Sequence, residues 1–287
     1  MSETRECPTT VDYTSLSTFL VCRKKYYWRI VRGIVGKKPP LAAEFGKCIH
    51  LALDVWHKER NIDKAIEAFC TTFVESPDDE KRTIAIGKKI LSLYSEKYAH
   101  EGFKVLATEQ EFNIPLPLPP FRLVGRIDKI IEWDGAIMVM DHKTTSRLGG
   151  EFFYKIKPNM QFDGYIYAAR QIGYPKCTGI LLDALLVAKG LVVPSQLSRL
   201  TPLARDMNFR TEADLVKYIK NVVSILHDLE ECYKIDEWYE NTESCCDFIE
   251  CPYRRICKED TDLHERIIAM DFKVEPWTPI KEKNGKV

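Results

Sequence analysis

The sequence predicts a mixed α/β fold in which a helical N-terminal region precedes a central sheet. Before residue 98, apolar residues recur at the spacing typical of amphipathic helices. From Val105 to His142 the pattern changes to the looser alternation of strands, with the turn dipeptide Asp134-Gly135 inside it. A helix, a nearly continuous apolar strand and a last amphipathic helix follow. This order of elements favours a sheet with helices packed on it.

Four helices are predicted in the N-terminal region. Thr14 or Ser15 is expected to cap the first helix, which runs to about Gly33, a residue type that often ends helices. The second helix carries His50, and a Pro-Asp-Asp break separates the third helix from the fourth. These three helices are predicted at residues 45–58, 62–74 and 81–98.

The predicted strands lie in the middle of the chain. A proline-rich stretch at residues 115–120 suits the connection of a hairpin. The strands are predicted at residues 105–114, 121–133, 136–142 and 178–187, and the later helices at residues 159–172 and 212–233. We expect one integrated domain made of a helical region at 1–104, a core at 105–210, a C-terminal segment at 211–274 and a frayed tail at 275–287.

The composition is that of a soluble globular protein. The 287 residues are 45% hydrophobic and 29% charged, which allows one large or two small domains. The 42 basic and 42 acidic residues cancel, so the formal net charge is zero. This balance excludes a generally basic coating protein, although local basic patches stay compatible with it.

The sequence predicts a cytoplasmic protein without a membrane partner. It contains no run of about 18 apolar residues, so no membrane-spanning helix is expected. Its polar and acidic start, residues 1–6, is unlike a secretory signal peptide. The ten cysteines then indicate a reducing compartment, where thiols serve metal binding, catalysis or packing rather than disulfides.

Two aspartates and a lysine form a candidate catalytic group. Asp141 and Lys143 share one face of a predicted strand because side chains at i and i+2 point the same way. If this strand pairs with the preceding one across Asp134-Gly135, Asp128 lies beside Asp141. A divalent cation relieves the repulsion of two carboxylates and activates a water, which a lysine can orient. In isolation, an aspartate at the end of a strand is most often a turn former, and a lysine two residues later is most often solvated.

Four motifs in order resemble the RecB-type branch of the PD-(D/E)XK nuclease superfamily. They are Gly46…His50, Gly125-Arg126-Ile127-Asp128, Asp141-His142-Lys143 and Gln161…Tyr165, and they match the GxxxH, GxxD, DxK and QxxxY motifs of that branch. The match extends over roughly residues 13–260. The resemblance implies a restriction-endonuclease-like core, a mixed central sheet flanked by helices, with a helical elaboration before it and a cysteine segment after it.

The resemblance also implies a role for each position. The metal ligands would be His50, Asp128, Asp141 and the backbone carbonyl of His142. An imidazole among carboxylates suits Mn²⁺ as well as Mg²⁺. Lys143 would position the attacking water. Gln161 and Tyr165 share one helix face and would contact the DNA backbone or the lysine. The His142 side chain is expected on the face opposite Asp141.

Four of the ten cysteines crowd into one short segment, at positions 245, 246, 251 and 257. Three thiolates in one loop can face a common centre, and a fourth ligand would complete a tetrahedral site. Cys22, far away in sequence, is the candidate for this ligand. The spacing disfavours a zinc ribbon without excluding zinc, and unmetallated packing cysteines are the third alternative.

This arrangement of cysteines resembles that of AddB-type and CRISPR-associated RecB-like nucleases. Such nucleases carry one cysteine before the nuclease core and three after it, which together hold a 4Fe–4S cluster. The resemblance implies that Cys22, Cys246, Cys251 and Cys257 are the ligands here. Cys245 adjoins Cys246, so the identity of one ligand stays open. A cluster held in this way would tie the two ends of the chain together and stabilise both.

The candidate DNA contacts are local because the net charge is zero. Arg23 and Lys24 precede three aromatic residues, a combination that suits phosphate contacts and base stacking. Arg254 and Arg255 lie between two predicted cluster ligands, which would hold them rigidly. Solvated surface charge is the alternative for each pair. No base-reading motif occurs, which favours recognition of a strand or an end over recognition of sequence.

The sequence thus predicts a metal-dependent DNA exonuclease that acts on DNA ends or single strands in recombination, repair or replication. No G-x-x-x-x-G-K-[ST] motif occurs, so a helicase or recombination partner would have to be another chain. Two alternatives stay open. One is a CRISPR-adaptation-type nuclease that trims ends, and the other is a non-catalytic DNA-binding subunit.

Overall fold

A computed structural model describes residues 6–246 and 250–279 and has a mixed α/β architecture. The helices are α1 Tyr13–Val21, α2 Arg23–Tyr26, α3 Leu41–Glu59, α4 Ile62–Thr72, α5 Ile84–Lys97, α6 Gly150–Phe153, α7 Met160–Gln171, α8 Pro194–Leu197, α9 Glu212–Ile235, α10 Arg254–Cys257 and α11 His264–Asp271. The strands are β1 Thr10–Val11, β2 Ile34–Gly36, β3 Lys104–Pro115, β4 Arg122–Trp133, β5 Ala136–Thr145, β6 Cys177–Leu186, β7 Leu203–Phe209 and β8 Phe272–Val274.

The chain divides into two compact units. The first comprises Met1–Pro39, Glu111–Arg126 and Ala213–Val287, and the second comprises Pro40–Gln110 and Ile127–Glu212. Both units are therefore assembled from segments that are distant in sequence. The predicted division at residues 104/105 and 210/211, within one integrated domain, stays a prediction.

A mixed sheet forms the centre of the second unit. Its strands follow the order β4-β5-β6-β7, in which β5 and β6 are parallel and the other neighbouring pairs are antiparallel. The turn between β4 and β5 has positive φ at both Asp134 (53°) and Gly135 (79°), as a two-residue hairpin of this kind requires. The mixed α/β class expected from the sequence is confirmed.

Helices α3, α4 and α5 pack together in the second unit through large apolar side chains. Phe45 on α3 contacts the rings of Phe69 and Phe73 edge-on. Helix α5 approaches α4 so closely that a Cβ on Gly87 would lie 2.1 Å from the Phe69 ring. Helix α3 ends where Arg60 adopts a left-handed conformation, and Asn61 then caps α4. This packing fixes α3, the helix that carries His50.

The first unit departs from the single N-terminal helix that the sequence predicts. Asp12 caps α1 in a capping box with Ser15, so the cap precedes the predicted Thr14 or Ser15. The helix then breaks at Cys22, which is extended (φ −166°, ψ 122°), and its Sγ accepts the backbone N–H of Lys25. A π-helical turn, Tyr27–Val31, follows α2. Periodicity alone gives no signal for this break because apolar positions continue on both sides of it.

A small hydrophobic core in the first unit lies beside the cysteine segment. Trp28, Ile34, Tyr253 and Phe272 are buried in it, and β2 pairs with β8 in antiparallel fashion next to them. The Tyr253 hydroxyl donates a hydrogen bond to the carbonyl of Ile34. None of the helices in the described part of the chain is both long and apolar enough to span a membrane.

Candidate active site

The first half of the candidate site joins α3 to β4. Nδ1 of His50 lies 3.1 Å from Oδ2 of Asp128, and both side chains are partly buried. Gly46, one helical turn before His50, allows this approach, because a Cβ there would lie only 3.2 Å from the hydroxyl of Thr144 at the end of β5. The GxxxH spacing therefore has a physical basis in the close packing of α3 against β5.

The second half of the site is on β5. Asp141 is buried, and Lys143 Nζ donates to its Oδ1 at 3.0 Å and lies 2.8 Å from its Oδ2. The backbone N–H of His142, the residue between them, donates to Asp128 Oδ2 at 3.1 Å. This hydrogen bond brings β4 and β5 together at the candidate site. The structure thus gathers His50, Asp128, Asp141 and Lys143, four residues that the sequence predicted.

Opposite charges balance one another in this group. Burial alone would lower the pKa of His50, but the carboxylate of Asp128 raises it overall. The same interaction outweighs burial at Asp128 and holds the pKa of that carboxyl below its usual range. Burial raises the pKa of Asp141, against the opposing charge of Lys143. Each carboxylate therefore has its own nitrogen partner, His50 for Asp128 and Lys143 for Asp141.

The donor set is suited to a hard divalent cation. Carboxylate oxygens are the ligands that Mg²⁺ and Mn²⁺ prefer, and Asp141 Oδ2 has no hydrogen-bond partner among the described residues despite its ion pair with Lys143. In residues 6–246 and 250–279, no three His, Cys, Asp or Glu side chains converge tightly enough to enclose an ion. In this arrangement His50 and Lys143 are in direct contact with the carboxylates.

Gln161 and Tyr165 lie on α7, which Asn159 caps through hydrogen bonds to two backbone N–H groups. The Gln161 side-chain amide donates to the Tyr165 hydroxyl at 3.0 Å. The expectation that the two residues share one helix face is thus met, and both are partly buried. Their contact with DNA stays a prediction.

Sequence reasoning missed a buried polar group behind the site. Asp183 is fully buried on β6, where it is the register partner of His142 on β5. Its Oδ2 lies 3.0 Å from Nδ1 of His142, whose other ring nitrogen contacts Lys129. A signal for it exists in the sequence. Asp183 interrupts the apolar run of β6, and a charge in a strand buried on both faces needs a buried partner.

The cysteine segment belongs to the first unit. Cys22 Sγ accepts backbone N–H groups from Lys25 and Asn241, and Cys257 Sγ accepts the indole N–H of Trp28 at 3.4 Å. Within the described part of the chain, the cysteine sulfurs do not converge tightly enough to enclose a metal ion. Burial raises the pKa of Cys257 to about 11, with contributions from the charges of Glu240, Cys251 and Cys22. The distant Cys22 therefore does lie near the C-terminal cysteines.

The two adjacent cysteines differ in their surroundings. Cys245 interacts electrostatically with Cys251, Cys22 and Cys246, and its backbone carbonyl accepts the N–H of Cys251. Cys246 is exposed and directly precedes residues 247–249, which lie outside the described part of the chain. The structure thus gives Cys245 more contacts with the other thiols, whereas spacing favoured Cys246. The identity of this ligand stays open.

The candidate DNA-binding cations have different environments. The Arg23 guanidinium lies over the rings of Phe19 and Tyr239 and pairs with Asp228 at 2.8 Å. Lys24 Nζ lies 5.1 Å and 5.2 Å from the ring centroids of Tyr27 and Trp28.

The later pair is more exposed. Arg254 pairs with Glu250 at 2.9 Å, and Arg255 pairs with Asp271. Arg23 is thus held in packing, whereas Arg254 and Arg255 form surface ion pairs, which contribute little to stability.

The mixed sheet carries an acidic pair, Asp128 and Asp141, on its neighbouring strands β4 and β5, an arrangement suited to metal-assisted hydrolysis. A model of the PD-(D/E)XK nuclease superfamily matches residues 10–258. Since the match covers most of the 287 residues, the chain belongs to this superfamily. The predicted superfamily is confirmed.

The chain aligns with solved structures of two proteins that are described as exonucleases. A candidate exonuclease from Eubacterium rectale aligns over 90% of this chain and 92% of its own, with a TM-score of 0.52 and 13% identity. An alkaline exonuclease from Laribacter hongkongensis aligns over 65% of this chain and 89% of its own, with a TM-score of 0.32 and 12% identity. At such identities the likeness concerns the fold alone. No curated protein matches the chain in sequence.

Proposed function

We propose that this protein is a divalent-metal-dependent DNA exonuclease of the RecB-type branch. One observation carries the proposal: the backbone N–H of His142 on β5 donates a hydrogen bond to Asp128 on β4. The ion pairs His50–Asp128 and Asp141–Lys143 lie beside this hydrogen bond. Two carboxylates, an imidazole and an ammonium group within one site match the needs of metal-assisted phosphodiester hydrolysis.

In this proposal, Asp128, Asp141, His50 and the carbonyl of His142 hold Mg²⁺ or Mn²⁺. The bound cation supplies an activated water and stabilises negative charge on the phosphate. Lys143 is partly exposed at the site, and its ammonium group donates a hydrogen bond to Asp141. The same group orients the attacking water, as a general acid or base must lie within hydrogen-bond reach of the reacting atoms.

A DNA end or single strand is the proposed substrate. The Eubacterium rectale protein, which has a similar fold over most of both chains, is described as a candidate exonuclease and supports this choice. The exposed arginines Arg254 and Arg255, with Lys24 beside two aromatic rings, supply the positive charge and stacking surface that a strand backbone needs.

A 4Fe–4S cluster held by Cys22, Cys251, Cys257 and one of the two adjacent cysteines is part of the proposal. The hydrogen bonds to the sulfurs of Cys22 and Cys257 and the mutual interactions of the thiols support it. In this role the cluster is structural. It closes a loop that runs from Cys22 to the C-terminal segment and so lowers the entropy of the unfolded chain.

Cleavage of end-labelled DNA tests the enzymatic proposal. Linear single strands carrying a 5′ or 3′ label are incubated with Mn²⁺ and the wild-type protein, Asp141→Ala or the exposed control Asp206→Ala. We expect the wild type and the control to release short products, whereas Asp141→Ala does not. A circular single strand of the same composition should persist. Equal cleavage by the wild type and Asp141→Ala would refute the site, and rapid cutting of the circle would refute exonuclease action.

A further inference from the structure

A chain of buried polar groups lies on the face of β5 opposite Asp141 and Lys143. His142 is at its centre and is 1% exposed. Nδ1 of its ring lies 3.0 Å from Asp183 Oδ2, and Nε2 lies 2.6 Å from Nζ of Lys129, which is 2% exposed. Neighbouring residues of a strand face opposite sides. Lys129 therefore lies on the face opposite Asp128, and His142 lies on the face opposite Asp141. Each buried member thus adjoins a carboxylate of the candidate site.

These contacts determine the tautomer of His142. Asp183 is bound as a carboxylate, since it accepts from the Tyr94 hydroxyl and forms an ion pair with Arg205. A carboxylate only accepts hydrogen bonds, so Nδ1 of His142 carries the proton and donates. An ammonium group only donates, so Nε2 of the His142 ring, 2.6 Å from Nζ of Lys129, carries no proton and accepts from it.

Asp183 is itself fixed by elements other than β5. The Tyr94 hydroxyl on α5 donates to Asp183 Oδ2 at 2.7 Å. Arg205 on β7 lies 3.3 Å from each carboxylate oxygen and forms a second ion pair with Glu101 at 2.7 Å. Residues of α5 and β7 thus fix the position of Asp183, and the contact of Asp183 with Nδ1 of His142 fixes the orientation of that ring.

The consequence for the candidate site follows from the backbone. His142 lies between Asp141 and Lys143, and its N–H donates to Asp128. A ring that is held on one face of the strand also fixes the direction of the N–H and carbonyl of His142. It likewise fixes the two neighbouring side chains, which point to the other face. Burying Lys129, His142 and Asp183 costs more than burying apolar side chains of the same volume. Asp183 is the charged residue of β6, a strand that is otherwise almost wholly apolar, and we take this cost as a sign of a role beyond stability.

We propose that Asp183 is a positioning residue of the metal site, which it orders by holding the ring of His142 in the Nδ1-protonated form. The proposal rests on the proposed function, since it concerns the same candidate metal ligands. Asp183 does not touch metal or DNA in this role. Partners that orient a metal ligand in this way typically change metal affinity or activity by about 10- to 100-fold when they are removed.

Direct metal binding tests this role. Mn²⁺ is titrated into metal-free wild type, Asp183→Asn, Tyr94→Phe and Asp206→Asn, and free Mn²⁺ is measured by electron paramagnetic resonance. We expect Asp183→Asn to weaken binding by about tenfold. Tyr94→Phe removes one hydrogen bond that fixes the same carboxylate but leaves the Asp183–His142 pair, so it should weaken Mn²⁺ binding less than Asp183→Asn does. Asp206→Asn is the surface control on β7.

A second measurement needs neither a folded variant nor metal. Nitrogen-15 spectra of the wild-type protein, with histidines labelled, report which ring nitrogen of His142 carries the proton. An Nδ1-protonated ring supports the proposal, and an Nε2-protonated ring overturns it. Folded Asp183→Asn with wild-type Mn²⁺ affinity overturns it as well. Should Asp141→Ala also bind Mn²⁺ like the wild type, the metal site of the proposed function fails instead.

Discussion

The imidazole of His50, on α3, lies 3.1 Å from the carboxylate of Asp128, on β4. The two residues belong to different elements and meet because Gly46 permits α3 to pack closely against the end of β5. Asp128 also accepts the N–H of His142, so one carboxylate links the helix to the β4–β5 pair.

Asp141→Asn should abolish cleavage without destabilising the metal-free protein. The asparagine has nearly the same shape, and burial already raises the pKa of Asp141, so removing its charge relieves a desolvation cost. We expect activity to fall by on the order of 100- to 1000-fold. Urea unfolding of the wild type and Asp141→Asn, both without metal, measures whether the free energy of unfolding is unchanged. A variant that loses activity only in proportion to its folded fraction would contradict the assigned role.

Lys143→Met should separate metal binding from chemistry. The lysine is not among the proposed ligands, so the variant should bind Mn²⁺, while the loss of the group that orients water should lower turnover by roughly 100-fold or more. Lys155→Met, an exposed lysine, is the matched control and should behave as the wild type. Mn²⁺ titration beside single-turnover cleavage makes the comparison. Loss of Mn²⁺ binding together with activity would assign Lys143 to the structure of the site instead.

The sequence predicts the frame of the site well, for local reasons. The strong helical periodicity of α3 and the Asp134-Gly135 turn between β4 and β5 depend on residues close in sequence, so the positions of His50, Asp128 and Asp141 follow from them. The extended break at Cys22 depends on tertiary contacts with Asn241, which no local pattern contains.

The buried group behind the site is hard to predict for the same reason. Asp183 meets His142 only because β5 and β6 pair in parallel in one particular register. Strand β7, which brings Arg205 to this group, was not predicted, since its sequence is polar and partly exposed. Long-range pairing thus decides the contacts that periodicity leaves undetermined.

Cys251→Ser should remove iron and weaken the fold of the first unit. The proposed cluster joins Cys22 to the C-terminal segment, and its loss would restore unfolded-state entropy worth on the order of several kcal/mol. Cys177→Ser is the control, because this thiol is fully buried in β6 of the second unit, whereas the proposed ligands belong to the first unit.

Iron analysis and a spectrum of anaerobically purified protein provide the readout for the cysteines. A broad band near about 400 nm should be present in the wild type and Cys177→Ser and absent in Cys251→Ser. Zinc in place of iron, or a Cys251→Ser variant with unchanged metal content and thermal stability, would count against the cluster. Comparing Cys245→Ser with Cys246→Ser then identifies the remaining ligand.

Arg254→Ala and Arg255→Ala should weaken DNA binding and reduce its dependence on salt. Both arginines form surface ion pairs, with Glu250 and Asp271, which cost little to exchange for a phosphate. Each phosphate contact on a single strand contributes about −0.7 to the slope of log affinity against log salt concentration, so each variant should make the slope less negative by about this amount. Fluorescence anisotropy of a labelled single strand across a salt series measures this slope.

Lys234→Ala, which removes a comparable surface cation paired with Glu231, should leave the slope unchanged. If the arginine variants retain the wild-type slope, the DNA backbone must follow another surface, and Lys24 beside Tyr27 and Trp28 becomes the residue to change next.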